Sequence, residues 1–251
     1  MKELLTNQTG HYEFLPAGDV YSHGIRTISG YGVVRAVLAT PVSLENSFSW
    51  ITVYLASLGR PLAALCGVEL HIPEPLTFAA FAAMNEYYTI LLHEHDLLLQ
   101  GHNPITRTTI APAVSAPPAP SLHAFTFTVP THISRPGFVT AGNGELQSKS
   151  DGSNLIISKG DLSTSGMGKK ASYVLNELAR TIQLLGASWR ELTDLTVYTT
   201  SDWKPILQEQ LLPFAGSSAL HSLRWVYSTP PLEDMDFEVD VRRVFNEWRL
   251  D

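Results

Sequence analysis

The sequence predicts an α+β fold of two tandem units, each a mixed sheet backed by two helices. The main observation is a repeat, because a helix, a glycine and a strand occur twice along the chain. Leu58-Gly59 in the first half corresponds to Leu185-Gly186 in the second, and each pair follows an amphipathic segment. The same offset aligns Leu65, Val68 and Leu70 with Leu192, Leu195 and Val197. A repeat of this length indicates a duplicated domain rather than a solenoid.

The length and the composition also favour two units. The chain has 251 residues, 44% of them apolar and 16% charged, which is typical of a globular protein rather than a disordered one. Two units of about 120 residues are each large enough to bury a core. The proline-flanked polar segment at residues 130–136 is predicted to be the linker. The units are therefore predicted as residues 1–130 and 131–251.

The first unit is predicted to have the order β-α-β-α-β-β. Phe48, Ile51 and Leu55 recur at helical spacing before Gly59, and a longer amphipathic helix begins after Glu74-Pro75. Apolar runs bounded by turn residues predict strands at residues 31–40, 65–72, 106–114 and 122–129.

The second unit is predicted to repeat this order with a shorter second helix. Its helices are placed at residues 169–186 and near 203–212, and its strands at residues 137–141, 154–159, 192–199, 223–227 and 237–241. Residues 142–152, which contain three glycines and many polar side chains, are predicted to form a hairpin loop.

Short motifs in both halves carry a resemblance to a known family. In the second half they are Leu155-Ile156-Ile157-Ser158, Leu184-Leu185-Gly186, and Pro230-Pro231 before Phe237-Glu238-Val239-Asp240. In the first half they are Leu58-Gly59, the helical segment at residues 81–88, and Pro104-Ile105-Thr106-Arg107. Together they cover most of the chain, and they resemble the Rid family of reactive-intermediate deaminases, also called YjgF-like proteins.

The resemblance implies a fold, an assembly and an activity. The fold is a Rid unit of chorismate-mutase-like architecture, which forms a barrel in a trimer and has ligand pockets between neighbouring subunits. The activity is the hydrolysis of reactive imines and enamines to keto acids and ammonia, without a metal or organic cofactor. We therefore expect a homotrimer that acts on a small carboxylate-bearing substrate.

The resemblance also assigns one site residue in each half. Arg107 stands where the family has an arginine that holds the substrate carboxylate, and Glu238 stands where it has a glutamate that positions water. Neither half has both. At the arginine position the second half offers His221 or Leu220, and at the glutamate position the first half offers Phe125, with His123 nearby. This departure suggests that each half supplies one of the two site residues. Arg107 and Glu238 would then face each other across a contact between halves or subunits.

The chemistry of these residue types agrees with the assignment. An arginine can bind a carboxylate with two parallel hydrogen bonds. The alternative is that Arg107 is simply a solvent-exposed arginine at the start of a strand. Glu238 lies between Phe237 and Val239, so its side chain is predicted to face away from theirs. Burial in a cleft would raise its pKa and suit it to proton transfer. His221 is a second catalytic candidate, because imidazole titrates near neutral pH.

Three further residues are candidates for substrate binding. Asn85 lies in a helical segment whose asparagine borders the pocket in the Rid family, Ser158 ends a strand, and Trp225 lies on a strand. No metal site is predicted. His93 and His95 are two residues apart on a helix, so their side chains point about 200° apart and cannot both bind one metal ion.

The leading functional hypothesis is a cytoplasmic hydrolase that deaminates a small carboxylated imine, enamine or related conjugated acid. A chorismatase-like hydrolase and a non-catalytic protein that binds a small molecule or takes part in an assembly stay open as alternatives. The net charge of −7, with 17 basic residues scattered among 24 acidic ones, argues against a nucleic-acid partner. No signal peptide or membrane span is predicted, and the single cysteine, Cys66, excludes an intrachain disulfide.

Overall fold

The computed structural model describes residues 3–149 and 153–251, which contain two large sheets and a small hairpin. The strands in chain order are β1 Leu5–Asn7, β2 Tyr12–Pro16, β3 Ser22–Thr27, β4 Tyr31–Ser43, β5 Leu65–His71, β6 Thr106–Pro112, β7 Ser121–Pro130, β8 Phe138–Thr140, β9 Asn143–Gly144, β10 Leu146–Ser148, β11 Asn154–Ile156, β12 Asp194–Tyr198, β13 Leu223–Val226, β14 Ser228–Thr229, β15 Glu238–Arg243 and β16 Asn246–Leu250.

Three long helices pack on the sheets: α1 Leu44–Ser57, α2 Phe78–Glu94 and α3 Thr164–Leu184. An irregular helical segment at residues 204–215 contains a π-helical turn in its middle. Helices α1 and α3 both end at the predicted Leu-Gly pair. Gly59 has φ 67° and Gly186 has φ 66°, a left-handed conformation that glycine adopts without strain. These two predicted helix ends are confirmed.

Both large sheets are mixed, as predicted. The N-sheet has the strand order β14-β6-β5-β7-β4-β16, and the C-sheet has the order β1-β2-β3-β8-β15-β12-β13, with β9 added beside β15. Strand β5 is parallel to β6 and antiparallel to β7, and β12 is parallel to β13 and antiparallel to β15. Helix α2 connects the first parallel pair, and residues 204–215 connect the second.

The N-terminal strands β1–β3 were not predicted, and they join the C-sheet rather than the N-sheet. Ile25 on β3 pairs with Val139 on β8. At the other end of the chain, β16 runs parallel to β4 in the N-sheet, with Trp248 opposite Ala36. The sheets therefore exchange strands between the two halves of the sequence. The duplication and the division at residue 130 stay predictions.

The predicted strand at residues 154–159 differs in the structure. Strand β11 is shorter and pairs with β10, with Ile156 opposite Leu146, in a two-stranded hairpin outside the large sheets. Strand β11 buries only the side chain of Ile156, and Leu155 is 41% exposed. The resemblance to a buried family strand was wrong here. In the predicted loop at residues 142–152, strands β9 and β10 are formed, and residues 150–152 lie outside the described residues.

The apolar core lies between each sheet and its helices. In the C-sheet, Leu195, Val197 and Val239 pack with apolar residues of α3 such as Leu178. In the N-sheet, the predicted helix positions Phe48, Ile51 and Leu55 pack with Phe125 and other strand residues. Burial of each such side chain contributes about 1.5–3 kcal/mol. The helix-facing sides of both sheets are thus apolar.

The opposite sides of the two sheets meet through a buried network of charges. Arg35 on β4 donates two hydrogen bonds to the Glu69 carboxylate, of 2.7 and 2.5 Å. Arg242 on β15 also donates to Glu69, and its second nitrogen donates to Asp240 at 2.7 Å. Burial alone would raise the pKa of Glu69, but Arg242 and Arg35 hold it well below its usual value. This ion network joins β15 of the C-sheet to β4 and β5 of the N-sheet.

None of the helices in the described part of the chain is long and apolar enough to cross a membrane.

The ion network predicts a large effect of its central arginine on stability. Arg242→Met should lower the free energy of unfolding by about 3–5 kcal/mol, because Glu69 and Asp240 would stay buried with one partner fewer. Denaturant unfolding followed by circular dichroism measures this. In the matched control Arg180→Met, the lost arginine is 74% exposed and pairs along its own helix, so the change should stay below about 0.5 kcal/mol. Equal small losses in both variants would contradict the prediction.

Candidate active site

A cavity of about 260 Å³ lies beside the first turns of α2, where β6 meets the loop between β8 and β9. Three of the predicted site residues line it: Asn85 on α2, Arg107 on β6 and Glu238 on β15. The remaining lining includes Tyr21, Phe81, Thr109, Asn143, Leu146, Ser148, Leu232 and Met235. Arg107 and Glu238 therefore meet within one chain, although they belong to different halves of the sequence.

Arg107 is buried, so the alternative that it is merely an exposed strand-start residue does not hold. It is the second residue of β6, opposite Val68 on β5, and it is only 8% exposed. Its side chain lies against helix α2. Nη2 donates a 2.6 Å hydrogen bond to Oδ1 of Asn85, and the guanidinium carbon lies 4.9 Å from the Tyr88 ring centroid and 5.6 Å from that of Phe81.

One nitrogen of the Arg107 guanidinium is left without a partner. Within residues 3–149 and 153–251, Nη1 is buried and makes no hydrogen bond. Burial lowers the pKa of Arg107, and the nearby Tyr88, Tyr21 and Glu238 oppose this effect. An unpaired buried donor is costly unless a ligand satisfies it. The arrangement is suited to binding an anionic ligand group.

Glu238 is the first residue of β15 and is 3% exposed. Phe237 and Val239 lie in the core beneath α3, so the predicted opposite orientation of Glu238 is confirmed. Burial raises the pKa of Glu238 well above its usual value, and the carboxylates of Asp240 and Glu145 raise it further, while Arg107 opposes them. A raised pKa favours the protonated form of this carboxyl group, which can serve as an acid.

Gly142 allows the chain to pass close to both residues, and sequence reasoning did not select it. Its N–H donates a 3.2 Å hydrogen bond to the carbonyl oxygen of Arg107. A Cβ atom at this position would overlap with Oε1 of Glu238. The run Gly142-Asn143-Gly144 after β8 is the sequence signal that would have indicated a close backbone approach.

A second group of residues missed by the sequence fixes the wall of the cavity. Lys170 on α3 and Glu145 are both fully buried, with Lys170 Nζ 3.3 Å from Glu145 Oε1 and 2.9 Å from Asp236 Oδ2. The Glu145 carboxylate also accepts hydrogen bonds from the backbone N–H groups of Asp236 and Phe237, at 2.5 and 3.1 Å. Burial raises the pKa of Glu145, and these hydrogen bonds and Lys170 oppose it. The group ties residues 144–146 to the chain just before Glu238.

The other three predicted site residues do not line this cavity. His221 is exposed at the end of a 3₁₀ turn, and Ser158 is half-buried in the turn after β11, with φ 49°. Trp225 is 53% exposed and donates from Nε1 to the carbonyl oxygen of Thr199 at 2.9 Å. Their assigned roles stay predictions without support from this geometry.

Strand pairing also changes which residues correspond between the halves. Val68 pairs with Arg107 in the N-sheet, and Leu195, which the predicted repeat aligns with Val68, pairs with Leu223. On that predicted alignment, Leu223 stands at the arginine position rather than His221 or Leu220. His71 pairs with Ser121, and its counterpart Tyr198 pairs with Glu238. Ser121 rather than Phe125 therefore stands at the glutamate position. The second half has a shorter connection before these strands, and β7 contains a bulge. Both features shift the residue correspondence away from the one read from the sequence.

Comparison with known proteins identifies the fold and the family of this chain. The structure resembles that of a chorismatase with a TM-score of 0.52 and 11% sequence identity, covering 96% of this chain and 79% of the other, which shows a shared fold. The family model of the 2-aminomuconate deaminase CnbZ matches residues 4–248. The chain belongs to this deaminase family. A member from Comamonas testosteroni, a 2-amino-5-chloromuconate deaminase, is 29% identical over 250 residues, which cover 98% of this chain and 99% of the relative.

The comparisons confirm part of the functional hypothesis. A deaminase was expected, and the family is one of deaminases. The resemblance to the Rid family, on which that expectation was based, stays a prediction.

The buried lysine offers a test of how the cavity wall is held. Lys170→Met should lower the free energy of unfolding by about 3–5 kcal/mol, because Glu145 would lose its buried cation. Turnover should fall as well, since residues 144–146 line the cavity. Thermal unfolding and steady-state kinetics measure the two effects. The neighbouring Lys169 is exposed, so Lys169→Met is the matched control and should change neither quantity. Equal changes in stability and turnover in Lys170→Met and Lys169→Met would show that Lys170 does not hold the cavity wall.

Proposed function

We propose that this protein hydrolyses a 2-amino-substituted conjugated dicarboxylate of the muconate type, releasing ammonia and leaving a 2-oxo acid. The observation that carries the proposal is that a buried arginine with an unpaired nitrogen and a buried glutamate with a raised pKa line one cavity. Membership in the 2-aminomuconate deaminase family and the activity named for the Comamonas testosteroni relative support the choice of substrate class.

Arg107 binds the carboxylate next to the amino-bearing carbon. Its Nη2 is held by Asn85, and Nη1 is available for the ligand. The rings of Tyr88 and Phe81 keep the guanidinium plane fixed, so little freedom is lost when the ligand binds. A charge-assisted hydrogen bond in this buried setting is stronger than one in water.

Glu238 transfers the protons of the reaction. In the imine form of the substrate, the Glu238 carboxylic acid protonates the nitrogen, and water then adds to the carbon while the resulting carboxylate takes up a proton from that water. Glu238 next protonates the nitrogen of the tetrahedral intermediate. The C–N bond breaks, ammonia leaves, and the hydroxyl proton returns to Glu238 as the carbonyl forms. The enzyme ends in the protonated state in which it began.

The remaining walls suit a planar conjugated chain. Phe81, Leu232 and Met235 offer apolar contacts, and Asn143 and Ser148 add polar groups to the lining. A conjugated chain with a carboxylate at each end needs this combination of apolar sides and polar ends. The assembly into trimers, the cytoplasmic location and the independence from cofactors stay part of the proposal. The shared fold makes chorismate a useful second substrate in assays, and its turnover would favour the chorismatase alternative.

Replacing the proposed acid tests the mechanism directly. Glu238→Gln keeps the size of the side chain but removes the transferable proton, so kcat for 2-aminomuconate should fall by about 10²- to 10⁴-fold. In the wild type, kcat should decline as the pH rises through the raised pKa of Glu238, because the acid form is the donor. The variant should lack this decline. A wild-type rate in Glu238→Gln would exclude the acid–base role.

The same variant gives a stability readout with a definite sign. The folded pKa of Glu238 lies above its unfolded value, so ionisation in the folded protein is disfavoured and wild-type stability falls as the pH rises between the two values. Glutamine does not ionise. Glu238→Gln should therefore equal the wild type near pH 4 and become the more stable protein toward pH 8.

Replacing the arginine tests carboxylate binding. Arg107→Lys keeps a positive charge but loses the planar fork and its packing on Tyr88, so KM should rise at least about tenfold, with a smaller change in kcat. Arg190 is exposed and lies outside the cavity, so Arg190→Lys is the matched control. An unchanged KM in Arg107→Lys would remove this residue from the substrate site.

A further inference from the structure

A second cavity, of about 360 Å³, lies between the two sheets on the other side of strand β6. Side chains alternate along a strand, and β6 separates the two cavities in this way. Arg107 and Thr109 line the candidate active site, whereas Thr108 and Ile110 line the second cavity. We call the second one the intersheet cavity. The proposed deamination mechanism does not involve the intersheet cavity.

A stacked pair of histidines forms part of the wall of the intersheet cavity. His71 on β5 and His123 on β7 have ring centroids 4.1 Å apart and ring planes within 13° of parallel. Strand β7 bulges here, since Ala124 and Leu122 pair with consecutive residues of β5 and His123 is left out of the ladder. Such bulges re-aim a side chain. Within the described residues, neither imidazole has a hydrogen-bond partner.

Three arginines line the same cavity, and one of them is unpaired. Arg35 and Arg224 are both bound to carboxylates and share Glu247, with nitrogen–oxygen distances of 2.8 Å in each case. Arg249 on β16 is exposed to solvent at this cavity, and no carboxylate in the described part of the chain pairs with it. The acids in and behind the wall, Glu69, Asp194, Asp240 and Glu247, all have arginine partners. Arg249 is thus the cation left for a ligand.

The uncharged form is favoured for both histidines of this cavity, because burial lowers their pKa values. Burial lowers the pKa of His71 to about 4, with His123 and Arg35 adding to this and Glu69 opposing it. Burial also lowers the pKa of His123. The other titratable or charged groups that line the cavity around the pair are Tyr198, Arg224 and Arg249. A bound anion favours the charged imidazole, and repulsion between stacked rings limits the pair to about one proton.

We propose that the intersheet cavity is a second binding site, separate from the deaminase site, for a small carboxylate anion held by Arg249 and the His71–His123 pair. One guanidinium and one added proton give two positive charges, which match the two negative charges of a short dicarboxylate, and the volume is enough to hold one. Binding takes up a proton on the histidine pair. The affinity for the anion therefore rises as the pH falls.

Calorimetric titration with fumarate tests this proposal in the Arg107→Gln protein, where the candidate active site has lost its guanidinium. Saturable binding should persist there and should tighten about tenfold or more between pH 7.5 and pH 5.5, since uptake of one proton gives at most a tenfold change per pH unit. The histidine Cε1–H signals of His71 and His123 should shift with the same saturation curve in NMR spectra.

Further variants assign the binding to its residues. Arg249→Gln, at an exposed position, should weaken fumarate binding at least about tenfold, and His71→Asn should remove its pH dependence. Arg190→Gln, which also removes an exposed arginine but lies outside both cavities, should leave binding unchanged. Binding that is lost in Arg107→Gln and kept in Arg249→Gln would place the anion in the candidate active site alone and overturn the proposal. Absence of saturable binding in all proteins would also overturn it. Neither result depends on deaminase activity.

Discussion

The buried ion network between the sheets is the constraint on which the rest of this structure depends. Charges buried between two protein layers destabilise the fold unless each has a partner with good geometry. Arg35, Glu69, Asp240 and Arg242 come from strands far apart in the chain, and all of them are paired. Because these pairs form only when the sheets are placed in this way, the network fixes β15 against β4 and β5.

The position of β15 in turn creates the chemistry of the candidate site. Glu238 and Asp240 lie on the same face of this strand, but only Asp240 reaches an arginine of the network. Glu238 is left at the edge of the network, where burial and the carboxylates of Asp240 and Glu145 raise its pKa and Arg107 opposes them. The raised pKa that suits it to donate a proton is therefore a consequence of how the sheets are packed. Such a group lowers stability at neutral pH, which is a common cost of an active site.

The same scaffold supports more than one chemistry, so the function rests on side chains and not on the fold. The chorismatase that shares this fold is only 11% identical, and its likeness says nothing about which ligand is bound here. Family membership and the unpaired nitrogen of Arg107 are independent observations, and both support the proposed carboxylated substrate. The intersheet cavity shows that one strand, β6, can present different groups to two separate spaces.

Local patterns in the sequence were sufficient to predict the helices, most strands of the large sheets, the two glycine helix ends, and the facing of Glu238, because these depend on neighbours a few residues away. The resemblance pointed to Arg107, Asn85 and Glu238, but not to their meeting in one chain. Pairings between distant segments decided that meeting, the burial of Arg107, the addition of β1–β3 to the C-sheet, and the Lys170–Glu145 pair. Lys170 lies at helical spacing between Met167 and Val174 on the apolar face of α3, but nothing near it in the sequence marks Glu145 as its partner. A sequence records which side chains can be charged, whereas only the packed structure determines which of them lose their water.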